Sequence, residues 1–552
     1  MGGPGRATVL LALLGCTSPG EPPSEPECVG TSHAALAAVD RKIVGEAAPY
    51  PADGTLRARD AELAASQQKR REAAWATVAK VLEPAPLHES LPNGRRLPSQ
   101  IPAWQTWYGL DDLRRVFHAL YEPLSETEKR SRARFSSASL DDAFLWNTRA
   151  VEELPTWPAE RYLEYLAAID EAGEVAGLGG ISRVGYSPAA GRHLLSSYPE
   201  VLACRDAGVP PPHAEGPVVD TPVAREAVEG AACEPRLVGV YAIEADEVLR
   251  GVLEEGDDAT LTLRAGSELC TTAAGIPCEV TGPALVEVTV DPGAAPLRAV
   301  VDLTRSSRKP AWSACLDGAF PVDAAIVKAD YRRADLEIKL PVFSTSAASL
   351  RARLQGDASW EVADGEADPG PSEIHTVTLP NGNNFRLAAL HIMTKELDHW
   401  QWITLWWSDS PEEDFGADRP AAIEALGGPW SHYKMCVVTA FDEKDALAGG
   451  GFDASHPSLA EALAATHGGV GAPTWCSNPY LEQGHGNAGT NCIGCHQYGG
   501  TDLTSEEVLT FTDVGRLQVR NNFPTDYSWA TTAGDELAQL FADEELYFLG
   551  PR

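Results

Sequence analysis

Positive charge is scarce in this chain: 44 Lys and Arg stand against 79 Asp and Glu, a formal net charge of -35 over 552 residues. This balance argues against a basic face for nucleic acid or an anionic membrane. The acidic excess fits a solvated surface that keeps the chain soluble, or one that steers charged partners. Long apolar runs are also missing: beyond the first residues none approaches the roughly 18 residues of a membrane-spanning helix. No nucleophile elbow, phosphate loop or zinc-protease motif appears. Asp409, Glu412, Glu413, Asp414 and Asp418 lack the spacing of a helix-loop-helix calcium site and read as a solvated loop. Methionine is rare as well; past Met1 only Met393 and Met435 occur.

The N-terminus is more informative. Arg6 precedes the apolar run Ala7-Thr8-Val9-Leu10-Leu11-Ala12-Leu13-Leu14, which Gly15 and Cys16 close. That length suits a signal-peptide core. Leu13-Leu14-Gly15-Cys16 resembles a bacterial lipobox, which implies a signal peptide over 1–15 and lipidation of Cys16; an ordinary secretory signal is the alternative. Several acyl chains on Cys16 would anchor the chain stably, where one would be marginal. Residues 16–30, rich in Pro, Glu and Ser, read as a tether. Thr17 in place of Asp points to the outer membrane of a Gram-negative bacterium, on its periplasmic or surface side.

Export implies an oxidising compartment. Apart from Cys16, Cys492 and Cys495, eight of the eleven cysteines remain: Cys28, Cys204, Cys233, Cys270, Cys278, Cys315, Cys436 and Cys476. Four disulfides are expected, with Cys270–Cys278 the most local pairing and Cys436–Cys476 another.

The patterning predicts an α+β chain. Residues 31–204 read as a helical domain, with one helix over 57–82, others over 111–122, 125–147 and 158–170, and a capping box at Ser125 and Glu128. A proline cluster at 205–222 marks a boundary. Residues 223–408 alternate with period two and predict an antiparallel β-rich domain, with strands near 260–264, 286–290, 298–303, 335–340, 375–379, 386–394 and 400–407. On the strand over 386–394, Ala389, His391 and Met393 share one face. Tryptophans fall on both faces of 400–407, so that strand is expected to be covered on both sides. Residues 409–475 read as loops, and 409–552 as a mainly helical and loop segment with helices near 504–510 and 534–548.

That last segment holds the one motif with defined chemistry. Asn491-Cys492-Ile493-Gly494-Cys495-His496 contains Cys-x-x-Cys-His, the attachment pattern of c-type haem. Two thiols three positions apart reach the two vinyl groups on one side of a porphyrin, and the next residue supplies the proximal imidazole. With 13 histidines and 11 cysteines in 552 residues, about 0.005 chance matches are expected. A structural zinc site would need a second ligand pair. A thioredoxin-type dithiol has no use for the histidine. A Cys492–Cys495 disulfide is the remaining alternative. The motif therefore leads us to expect one covalent haem c, with thioethers at Cys492 and Cys495 and iron bound by His496. No Met or His follows His496, so the sixth ligand of small cytochromes c has no counterpart downstream. His391 is the first choice and Met435 the second, with an open iron a third arrangement.

The second half also resembles a diffuse group of exported bacterial cytochrome c family proteins. The resemblance runs over about 320–500, through Ala325-Ile326-Val327-Lys328-Ala329-Asp330-Tyr331, Leu390-His391-Ile392-Met393-Thr394-Lys395, Trp402-Ile403-Thr404-Leu405-Trp406-Trp407, Asn478 to Leu481, and the haem motif. It implies a haem protein with a β domain and no particular substrate. The resulting expectation is a membrane-anchored monohaem electron carrier with a redox partner that bears a basic docking face. The rivals are a haem enzyme or sensor with an open iron, and a surface-binding scaffold with accessory haem.

Overall fold

Five segments, each carrying several β-branched or aromatic residues, pair into one sheet. We label them β1 (Gly180–Tyr186), β2 (Ala325–Arg333), β3 (Asn384–Thr394), β4 (Gln401–Trp407) and β5 (Tyr433–Val438). Their order is β5-β4-β3-β2-β1, every neighbouring pair is antiparallel, and Thr376–Thr378 pairs with β3 as well. In this computed structural model the described residues are 47–86, 100–144, 180–207, 320–334, 338–378, 384–439, 443, 449–452, 454–467, 474–496 and 536–550. The strand backbones at 214–219, 237–243, 248–256, 260–264, 268–271, 277–280, 285–289, 297–302 and 518–519 are described too. The chain divides into units 1–39 and 40–552, and every described residue belongs to the second. The expected signal peptide, lipidation site Cys16, tether and helices at 158–170 and 504–510 lie outside the described residues.

The fold is α+β. Helix α1 (Gln67–Val81) lies against the β5 edge of the sheet. Helices α2 (Leu110–Tyr121) and α4 (Glu536–Leu549) pack together, with the Phe117 and Phe541 ring centroids 4.7 Å apart. His118 Nδ1 meets Glu544 Oε2 at 2.6 Å beside that contact. One hydrophobic core runs through the helices and the sheet, from Ala47 to Phe541. A second sheet follows the order Leu285–Thr289, Val248–Gly256, Thr260–Arg264, Leu297–Asp302, Leu237–Ile243, Ala214–Val219, Gln518–Val519. It is antiparallel except at two parallel pairings. In the hairpin of Glu268–Thr271 with Pro277–Val280, the Cα positions of Cys270 and Cys278 stand opposite each other.

Several expectations change in detail. The helix expected over 57–82 breaks at Ser66, whose extended backbone and side chain, accepting from Lys69 N, start α1 afresh. The helix expected over 125–147 is split into Glu126–Ser131 and Ser137–Phe144. The Ser125–Glu128 capping box forms, but Arg132 turns left-handed at φ 51° and pairs with Glu545. The helical stretch is not separate from the β region, because β1 comes from residues 180–186 and pairs with β2. Residues 223–408 in turn contribute to both sheets. Strand β5, read as loop, adds the other edge.

A buried cation fastens α1 to the sheet edge. Arg71 has no exposed side-chain surface, and its Nη2 lies 2.6 Å from Asp418 Oδ1. It also donates through Nε to Asp418 Oδ2 and through its Nη atoms to the carbonyls of Met435 and Phe415. Burial alone would raise the pKa of Asp418. The charge and hydrogen bonds of Arg71, with Trp75, outweigh it and hold the carboxyl below its ordinary value. Arg71→Ala, which strands that carboxylate, should cost about 3–5 kcal/mol in chemical denaturation. Because the folded pKa is depressed, the stabilisation is present above about pH 4 and fades as pH falls through the folded value. Asp418→Asn should therefore flatten the acid limb of the stability–pH curve; an unchanged acid limb would refute this.

Candidate functional site

One face of the sheet is set by alternation. His391 stands opposite Thr404, Met393 opposite Trp402, and Thr404 opposite Cys436. Residues 474–491 lie on that face and are fixed to it twice. Cys436 and Cys476 form a disulfide. Two residues on, the buried Asn478 donates through Nδ2 to Thr404 Oγ1 at 2.6 Å and to the Leu405 carbonyl at 2.9 Å. The loop is then held to itself: Trp475 Nε1 donates to the Ala488 carbonyl, Ser477 Oγ to the Asn487 carbonyl, and Asn491 Nδ2 to the Thr474 carbonyl. Gly484 and Gly486, at φ +102° and +79°, allow its left-handed turns.

This loop delivers helix α3 (Cys492–His496). Asn491 Oδ1 accepts from Gly494 N at 2.7 Å and so caps the turn. A spacing of three puts Cys492 and Cys495 on one side of that turn. Both cysteines are unbridged and partly buried. The next residue, His496, sets its ring 4.3 Å from the Trp402 ring, tilted by 41°. Trp402 is itself held, since its Nε1 donates to the His399 carbonyl at 2.7 Å. The structure thus brings together two thiols, an adjacent imidazole and an aromatic wall, a donor set that suits a c-type haem. Burial pushes the Cys495 thiol up to about 12, aided by the charge of Glu482, and raises Cys492 well above its ordinary range.

His391 lies on the same face as this turn. It is the diagonal neighbour of Trp402, a relation with Cα atoms about 7–8 Å apart. Its Nε2 is 2.9 Å from Glu482 Oε1. Met435 is different: Cys436 is bonded to Cys476 on the haem-motif side, so alternation puts Met435 on the opposite face with Leu405. The methionine on the motif's side is Met393, directly opposite Trp402 and buried. Period-two reading already placed it with His391, yet its pairing with Trp402 needed the register. His375 is occupied elsewhere, within 3.0 Å of Gln105 Nε2 and stacked at 4.9 Å on Trp430; burial lowers its pKa to about 4.

The acidic stretch is solvated at Asp409, Glu412 and Glu413, but not throughout. Asp414 is buried 2.8 Å from Lys434, Asp418 is held by Arg71, and Glu412 pairs with Arg419. No group of three or more His, Cys, Asp or Glu side chains suited to a metal ion occurs among the described residues. No helix among them is long and apolar enough to cross a membrane. Comparison with family models, with curated proteins and with solved structures gives no match.

Because partial burial and the charge of Glu482 raise both thiol pKa values, haem-free folded protein should react slowly with iodoacetamide at neutral pH. Labelling at Cys492 and Cys495, followed by mass spectrometry, should run at least about a hundredfold slower than for free cysteine. The difference should vanish on denaturation. Equal rates in the folded state would contradict the burial described.

Proposed function

We propose that this chain is an exported, lipid-anchored monohaem cytochrome of the c type, an electron carrier held at the outer membrane through Cys16. Cys492 and Cys495 form the thioethers, His496 is the proximal ligand and His391 the distal one. The supporting observation is the grouping of an unbridged Cys-x-x-Cys-His turn and His391 on one sheet face. The thiols are not consumed in a disulfide, although Cys476 of the same loop is bonded to Cys436 of β5. Iron between two imidazoles favours electron transfer over activation of a small molecule. The acidic composition then selects a redox partner with a basic docking face.

The exported protein should show a c-type band near about 550 nm on reduction. A pyridine haemochrome assay should report one covalent haem per chain, and the double substitution Cys492→Ala/Cys495→Ala should abolish it. Absence of covalent haem in the unaltered protein would end the cytochrome reading. Cyanide or carbon monoxide binding as fast as at an open iron would favour a haem enzyme or sensor instead.

A further inference from the structure

We infer that Glu482 is the outer partner of His391: its carboxylate accepts Nε2–H and leaves Nδ1 as the ring nitrogen for iron. This rests on the haem reading above and deepens it. Histidines that bind metals almost always donate their second ring N–H to a carboxylate, a carbonyl or water, which fixes the tautomer and strengthens the donor. Here a carboxylate is within reach: Glu482 Oε1 lies 2.9 Å from His391 Nε2, a buried ring nitrogen that makes no hydrogen bond of its own in the structure and needs only a small turn of the ring to make this one. The two side chains are only 20% and 23% exposed, unlike a typical surface ion pair.

Glu482 is itself held. Its Oε2 accepts the backbone N–H of Asn478, the residue whose side chain is fixed to β4. Hydrogen bonds therefore run from sheet to loop to carboxylate, and the carboxylate in turn stands 2.9 Å from the histidine ring. The same loop continues into Cys492 and His496, so one segment supplies both the thioether side and the support of the opposite ligand. Met393 is the rival donor on this face, opposite Trp402. It has no second nitrogen for Glu482 to hold, so the two assignments predict different responses.

The test uses the full-length, haem-loaded protein and the variants Glu482→Gln, Glu482→Asp, His391→Ala and Met393→Leu. Absorption and electron paramagnetic resonance spectra report the spin state, and imidazole titration reports how firmly the sixth ligand is held. The unaltered protein should be low-spin. His391→Ala should become high-spin, and Met393→Leu should stay low-spin. Glu482→Gln should keep its circular dichroism, yet exchange His391 for imidazole about 10- to 100-fold more readily. Glu482→Asp should recover part of that loss, and it carries the comparison if the Gln variant fails to fold. Imidazole affinity unchanged in Glu482→Gln overturns the inference while the cytochrome stands. So does a high-spin unaltered protein, or loss of the low-spin signal in Met393→Leu alone. No covalent haem in the unaltered protein overturns both.

Discussion

The site depends on how residues 474–491 are fastened to the sheet. The Cys436–Cys476 disulfide spans 40 positions, a closure worth about 4 kcal/mol in the chain-entropy description. Beside it, Asn478 uses its amide to meet the Leu405 carbonyl and the Thr404 hydroxyl. A covalent bond and a buried amide two residues apart leave this segment little freedom in translation or rotation. Everything downstream inherits that placement: the capped turn at Asn491, the two thiols, and the ring of His496 against Trp402. The oxidising compartment suggested by the N-terminal residues is also the one in which such a disulfide persists.

The sheet offers a rigid floor because β4 is buried at each of its seven positions. A strand covered on both sides cannot slide by one residue without exchanging its two faces. Trp402 and Thr404 thus remain on the motif side, and Ile403 and Leu405 remain on the other. Arg71 adds a polar lock at the neighbouring edge, where a single guanidinium serves a carboxylate and two carbonyls.

Strands β3 and β4 were legible from composition, because Leu, Ile and Trp at these positions leave few other options. The α+β class and the final helix followed from similar patterns. Strand β5 was hidden by Lys434, a charge that looks solvent-facing until Asp414 is seen beside it. Strand β1 was hidden by Gly180, Ser182, Arg183 and Gly185, which read as turn or loop. The motif Cys492 to His496 was legible because its chemistry fixes residue type and spacing together. Asn478 and Glu482 were not, since their meaning lies in contacts with Thr404 and His391 that only the fold creates. Period two grouped His391 with Met393; removing Met435 from consideration required the β5 register.

The order of the sheet also has a temporal side. Strand β2 takes its partner β1 from far upstream, and β4 takes β5 from downstream across a loop-rich stretch. The sheet cannot close until most of the chain has emerged, and such non-local pairing slows folding. The Cys492–His496 turn follows every strand of that sheet in the chain. A chain that crosses a membrane unfolded would hold these two thiols in the open throughout that delay. If the thiols receive haem as proposed, this topology would leave the attachment step a period of access before the loop docks.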